Sequence, residues 1–377
     1  MTVSASSRTI PQEPAGSHAA FEVHVSPTPV AASRRAEILA APGFGKFFTD
    51  HLARMTWTSR DGWHDGRIEP YAPITLDPSA AVLHYAQEIF EGMKAYRHAD
   101  GSVWAFRPTA NAARFARSAQ RLALPVLPED VFLASIETLV RTDVDWVPTG
   151  GETSLYLRPF MFASEAFLGV RPAAEITYMV IASPAAAYFS GGVRPVSIWL
   201  SQHFSRAAEG GTGEAKCGGN YAASLSAQAE ASAHGCEQVC FLDARSHRWV
   251  EELGGMNLFF VHADGSVVTP ELSGSILRGV TRDSVITLLR DEGRTVTERR
   301  FDVQEWRDGA ASGELTEVFA CGTAAVVTPV GRLVEPGVEH VAGGGDTGAV
   351  TAAVRQRLMD IQYGRAADNH GWLHRLA

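Results

Sequence analysis

Lys216-Cys217-Gly218-Gly219-Asn220-Tyr221 and, further along, Glu251-Glu252-Leu253-Gly254-Gly255-Met256-Asn257 are the two stretches on which the reading of this chain turns. A lone lysine is usually a surface charge. Lys216 stands out for its setting, between a polar, glycine-rich loop over 209–214 and the pair Gly218-Gly219. Glycines let a backbone come close to a bulky planar ligand. With Tyr221 nearby and a later glutamate at a strand end, the set is the one that pyridoxal phosphate chemistry requires. A lysine amine condenses with the aldehyde of that cofactor. A carboxylate keeps the pyridine nitrogen protonated, so that the ring accepts electrons. Paired glutamates at a strand end are more often a solvated edge. Here the apolar Trp249-Val250 before them and Gly254-Gly255 after them argue that one points inward.

A phosphate needs donors, and two small-residue turns offer them. Leu277-Arg278-Gly279-Val280-Thr281 leads into a helix, whose free N–H groups and dipole favour an anion. Gly322-Thr323-Ala324 is a second turn with a hydroxyl. Each is weak alone. Arg114 sits on a predicted helix beside Arg117 and Arg121, where a surface charge is the plainer reading. Gly343-Gly344-Gly345-Asp346 resembles a phosphate loop but lacks its Lys-Ser/Thr ending and reads as a connector. The chain has no Gly-x-Ser-x-Gly and no His-Glu-x-x-His.

Composition narrows the class. A chain of 377 residues with 45% hydrophobic content suits two domains with proper cores. The net charge of −9, without any basic block, argues against nucleic acid as a partner. Four cysteines are too few for a disulfide scaffold. Cys236 and Cys240 lack the second ligand pair that zinc needs, so no metal is expected. No apolar run reaches the ~18 residues of a membrane span. Residues 1–20 lack the apolar core of a signal peptide and read as a disordered tail. A cytoplasmic protein is the expectation.

Periodicity places the elements coarsely, with structure expected from Phe44 onward. A strand over 89–97, a turn at 98–101 and a strand over 102–106 precede a helix from Thr109 to about Leu122. A second helix follows Pro128, with Phe132, Ile136, Leu139 and Val140 on one face. Strands over 155–160 and 176–182 lead to a Pro/Gly/Ser-rich stretch, 183–192, the expected domain boundary. Beyond it strands and helices alternate. The predicted helices are 221–234, 281–293 and 347–361; one strand is expected over 295–301; Asp302 and Glu305 form a capping pair.

Taken together, these segments resemble the branched-chain amino acid aminotransferases of the class IV (fold type IV) pyridoxal-phosphate group. The resemblance runs from about Phe21 to Leu376. It rests on Gly45-Lys46-Phe47-Phe48-Thr49-Asp50-His51, on Gln87-Glu88-Ile89-Phe90-Glu91-Gly92-Met93-Lys94-Ala95-Tyr96 and on Leu155-Tyr156-Leu157-Arg158-Pro159. It continues through Ala187-Tyr188-Phe189-Ser190-Gly191-Gly192, the Lys216 and Glu252 stretches, residues 276–282 and Gly322-Thr323-Ala324. It implies an α/β (α+β) fold of two domains, 21–182 and 193–377, with the active site between them and a homodimeric assembly.

The resemblance also implies roles. Lys216 is the catalytic lysine that holds the cofactor and moves the proton. Glu252 faces the pyridine nitrogen, and Tyr221 meets the phenolic oxygen. Arg114 and Thr323, with the amides of Val280 and Thr281, hold the phosphate; Gly255, Leu277 and Gly279 line the cofactor site. Tyr85, Phe90, Tyr156, Arg158 and Tyr188 form the substrate pocket, and Thr323-Ala324 meets the substrate carboxylate. The implied substrates are small: L-leucine, L-isoleucine or L-valine, with 2-oxoglutarate as acceptor. Some relatives carry a Cys-x-x-Cys pair where this chain has Ala325 and Thr328, and relatives often have Thr in place of Gly255. The rival readings are a D-amino acid aminotransferase or aminodeoxychorismate lyase of the same fold, and a catalytically silent cofactor carrier.

Overall fold

Two mixed sheets carry the chain in a computed structural model that describes residues 21–186 and 193–377. The expected tail over 1–20 and most of the expected boundary, with Tyr188, lie outside the described residues. The first sheet is built around the long antiparallel pair Ser154–Ala163 and Glu175–Ala185. One side of this pair carries the hairpin His51–Thr58 and Gly62–Pro70; the other carries Met93–Arg97 and Val103–Phe106. The helices Pro108–Arg121 and Glu129–Thr142 pack on it. Their buried residues include Ala112, Phe115 and Ala119 on one, and Phe132, Ile136, Leu139 and Val140 on the other. That stripe recurs every three to four residues, the spacing that puts one helix face on a core.

In the second sheet, Asn257–His262, Leu315–Gly322, Val326–Glu335, Val196–Leu200, Gln238–Leu242 and Trp249–Leu253 lie side by side in that order. Glu252 pairs with Asn257 across the first and last of these, so the six strands close into a ring. Leu258, Phe260, Val250, Phe301 and Trp306 belong to one of its cores. The helices Val280–Asp291 and Ala349–Gln362 cover another face, where Phe259 stacks on Phe319.

Several elements differ from the sequence reading. The chain is already structured before Phe44, with a helix over Ala32–Ala40, and the hairpin from His51 was not anticipated. The predicted strand over 89–97 is two, Glu88–Phe90 and Met93–Arg97. It breaks at Glu91-Gly92, where Glu91 turns into the interior and is fully buried. The strand before the boundary runs on to Ala185, because Ser154 still has a partner there. The expected strand over 295–301 is two short ones, Val296–Glu298 and Phe301–Asp302, on different edges of the sheet. The helix after Lys216 begins at Gly218, so Tyr221 lies within its first turn. The last strand, Leu373–Arg375, returns to the first sheet and pairs with Val103–Phe106. The Asp302–Glu305 capping box forms as expected.

Candidate active site

Lys216 enters the helix Gly218–Ala233 from a segment pinned by the first sheet's elements. Its N–H donates to Ser118 Oγ at 2.9 Å, and its carbonyl accepts from Phe90 N–H at 2.9 Å. Glu88 accepts from the Gly218 N–H just beyond. With the backbone held at three points, the side chain has little choice of direction. Its Nζ lies 2.7 Å from the Tyr221 hydroxyl and 4.7 Å from the Phe90 ring centre.

Lys216 opens into a cavity of about 230 Å³ lying between the two sheets. The structure gathers there Arg114, Tyr221, Glu252, Gly255, Leu277, Gly279, Val280, Thr281, Thr323, Phe90, Tyr156, Arg158 and Ala324, all singled out from the sequence. Tyr85 is not in the lining: it is 39% exposed, and its hydroxyl accepts from Gly169 N–H at 2.8 Å. Tyr188 lies outside the described residues.

One end of the cavity is acidic. Glu252 sits where the ring of strands closes, 3% exposed. Its carboxylate accepts from Leu277 N–H at 2.9 Å and from Asn257 Nδ2 at 3.3 Å. Burial pushes its carboxyl up to about 7, against the opposing pull of Arg206 and the Leu277 N–H. Glu251, its neighbour on the strand, is not in the cavity lining and accepts from Ser275 Oγ. Alternate residues of a strand face opposite sides, so only one of the pair can serve this site.

Another part of the lining offers donors for an anion. Gly279 caps the helix Val280–Asp291, whose first N–H groups have no partner within the helix. A Cβ on Gly279 would fall 2.1 Å from Asn257 Oδ1, so only glycine lets the backbone lie this close. Arg114 flanks it, with Nη1 donating to Arg278 O at 3.2 Å. The rest of its guanidinium is fixed by Glu91, from Nε at 2.6 Å and from Nη2 at 2.8 Å. Burial alone would push the Glu91 carboxyl up; the Arg114 charge and the Asn111 amide outweigh this and hold it below the usual range.

Aromatic rings and one cation form the remaining wall. Arg158 donates to the Tyr156 hydroxyl at 3.1 Å and lies over the Phe90 ring at 4.8 Å. Phe44 meets Tyr156 edge-on at 5.2 Å. Gly92 leaves room for Tyr156: a Cβ there would fall 2.1 Å from its hydroxyl. The Thr323-Ala324 turn ends at Val326, which has φ 62°, a strained value for a β-branched residue. Lys94, 7% exposed, donates to Ala324 O at 2.9 Å and so fixes that turn from behind.

A profile described as "Amino-transferase class IV" matches residues 88–333, which take in this whole lining except Phe44. A probable branched-chain-amino-acid aminotransferase of Streptomyces coelicolor is 59% identical, over 95% of this chain and 99% of the relative. The chain belongs to the class IV aminotransferases, among the branched-chain-amino-acid aminotransferases. A second family member, from Mycolicibacterium smegmatis, is 57% identical over 94% of this chain and 98% of its own. Among solved structures, a branched-chain amino acid aminotransferase crystallised with pyridoxamine 5′-phosphate matches with a TM-score of 0.71 and 32% identity. The match covers 86% of this chain and 99% of that one. The Escherichia coli family member matches with a TM-score of 0.72 and 27% identity, over 86% and 100%.

Sequence reasoning passed over several residues of the site. Glu91, Gly92 and Lys94 lay inside a quoted motif, but their roles depend on Arg114, Tyr156 and Ala324, all distant in sequence. Asn257 was quoted only as the end of the Glu252 stretch, yet it bridges Glu252 and Leu277 O. Phe44 and Arg206 carried no local signal.

Proposed function

We propose that this chain catalyses the reversible, pyridoxal-phosphate-dependent transfer of the amino group of L-leucine, L-isoleucine or L-valine to 2-oxoglutarate, giving branched 2-oxo acids and L-glutamate. One observation carries the proposal: a single cavity joins a lysine–tyrosine pair, a buried carboxylate, a helix N-terminus with an arginine, and an aromatic wall bearing one cation. The donor set suits the cofactor. Lys216 offers the amine, Glu252 a partner for the ring nitrogen, and Arg114, Thr323 and the amides of Val280 and Thr281 the partners for a phosphate. Bound pyridoxal phosphate supplies an aldehyde that captures an amino group and a ring that accepts electrons.

The protein's own groups do the rest. Lys216 is the base that takes and returns the substrate's Cα proton, oriented by the Tyr221 hydroxyl at 2.7 Å. A positioned base of this kind contributes about 10²–10⁴ in rate. Glu252 holds a proton at the ring nitrogen. Phe90, Phe44 and Tyr156 receive an apolar side chain and exclude water. Arg158 and the tyrosine hydroxyl serve the glutamate carboxylate in the same pocket. The backbone of Thr323 and Ala324 meets the α-carboxylate, with Lys94 holding the turn. The reading includes a division into units over 21–182 and 193–377, a homodimer and action in the cytoplasm; sedimentation as a monomer would count against the dimer.

The test is the purified protein with pyridoxal phosphate, L-leucine and 2-oxoglutarate. Glutamate should form, and the cofactor's visible absorption should shift on adding L-leucine alone. Activity with D-alanine and none with L-leucine would overturn the assignment.

A further inference from the structure

Glu252 has a third buried partner, Arg206, which is not part of the cavity lining. Arg206 lies between the strand Val196–Leu200 and the helix Gly218–Ala233, and its side chain is 4% exposed. Its Nη2 lies 2.5 Å from Glu252 Oε1 and donates to Gly213 O at 3.2 Å. Nε and Nη1 have no hydrogen-bond partner among the described residues. The loop has no slack, because a Cβ on Gly213 would fall 2.2 Å from Ser275 O. Arg206 is absent from the cavity lining, so it does not touch what binds there.

A guanidinium buried with two of its nitrogens unmet is costly unless a charge offsets it. Among the described residues, the carboxylate in contact is that of Glu252. The other groups acting on Glu252 are the Leu277 N–H, the Asn257 amide, the neighbouring Glu251 and Lys216. Glu251 opposes ionisation of Glu252; Lys216 and the Leu277 N–H favour it.

We propose that Arg206 is a positioning residue that keeps Glu252 a carboxylate, so that the proton shared between Glu252 and the cofactor's ring nitrogen rests on the nitrogen. The proposal rests on the reading of the cavity as a pyridoxal phosphate site. One proton has two places to rest. With the proton on the nitrogen, the sequence of charges is guanidinium, carboxylate, pyridinium. With the proton on Glu252, the guanidinium faces a neutral acid. Coulomb energy falls with distance, so Arg206 stabilises the adjacent carboxylate more than it penalises the more distant ring cation. Even with Arg206 in place, burial raises the Glu252 carboxyl to about 7. Without it the acid would keep the proton, and the ring would accept electrons less well.

The experiment compares two ligands on cofactor-free protein at neutral pH. Pyridoxal 5′-phosphate has the ring nitrogen; 1-deazapyridoxal 5′-phosphate carries C–H in its place. Arg206→Gln keeps a donor for the Gly213 carbonyl, and Arg206→Lys keeps the charge. Arg206→Gln should weaken pyridoxal phosphate binding by roughly tenfold, the scale of one charge-assisted hydrogen bond. Binding of the deaza compound should stay within about twofold, well inside the spread of single-contact effects. Arg206→Lys should restore most of the preference, and in a Glu252→Gln background Arg206→Gln should change it no further. Equal weakening of both ligands, or an unchanged preference, would overturn the proposal. A wild-type protein that binds neither ligand would sink the cofactor reading itself.

Discussion

Gly279→Ala removes no interaction and adds one methyl group, so its consequence can be worked from the geometry. Gly279 has φ −66° and ψ 127°, a conformation open to alanine, so only space opposes the change. The new Cβ would lie 2.1 Å from Asn257 Oδ1 and 3.1 Å from Arg282 Cβ. Arg282 is held by Glu298 at 3.0 Å and by Pro270 O at 2.8 Å, so Asn257 must turn. Its amide then gives up Leu277 O at 3.1 Å and Glu252 at 3.3 Å. Two hydrogen bonds at about 0.5–1.5 kcal/mol each amount to about 1–3 kcal/mol, or roughly 5- to 150-fold in affinity for the group Glu252 serves. The assay is a titration of cofactor-free protein with pyridoxal phosphate. Gly254→Ala is the control, because its Cβ meets nothing nearer than Ser224 Oγ at 3.9 Å and Gly254 is absent from the cavity lining. Wild-type affinity in Gly279→Ala, or an equal loss in Gly254→Ala, would show that the displaced Asn257 amide is not what sets cofactor affinity.

Glu252→Ala should reduce turnover far more than Glu251→Ala, by roughly 10- to 150-fold if one hydrogen bond to a charged group is lost; equal effects would mean that the wrong glutamate faces the site. Lys94 is buried near Glu152 and Arg355, and burial lowers its ammonium to about 8. Between about 8 and its ordinary 10.5 the unfolded chain holds a proton that the folded chain has released. Folding stability should therefore rise with pH across that window, by up to roughly 3 kcal/mol relative to Lys94→Met, in chemical denaturation; parallel pH profiles would show that Lys94 titrates alike in the folded and unfolded chain. Glu91→Gln leaves the Arg114 guanidinium without its charged partner, and breaking a buried pair from one side costs about 3–5 kcal/mol. It should lower the unfolding midpoint and weaken phosphate binding, and a variant as stable as wild type would show that the pair is not needed.

What the sequence made legible were features with local physical signatures. The helices over Pro108–Arg121 and Glu129–Thr142 show an apolar stripe, and the capping box at Asp302 is written in four consecutive residues. Lys216 and Glu252 were readable because glycines flank both. The break at Glu91-Gly92 was not, since its cause is the Tyr156 hydroxyl and the buried Arg114, both far along the chain. Arg206 shows the same limit: nothing around it marks a buried charge, and its partner arrives through the closure of the second sheet. Tyr85 carried an implied pocket role, but its ring, at the end of the short helix Ala81–Tyr85, stacks on Phe167 and is not part of the cavity lining.

The proposed chemistry depends on Lys216 being the residue that holds the cofactor. The direct measurement is to load the protein with pyridoxal phosphate, reduce it with borohydride, digest it and locate the modified lysine by mass spectrometry. One phosphopyridoxyl group should be found, on Lys216, and none when L-leucine has first converted the cofactor to its amine form. A label on Lys94 or Lys46, or an unlabelled Lys216, would contradict that chemistry.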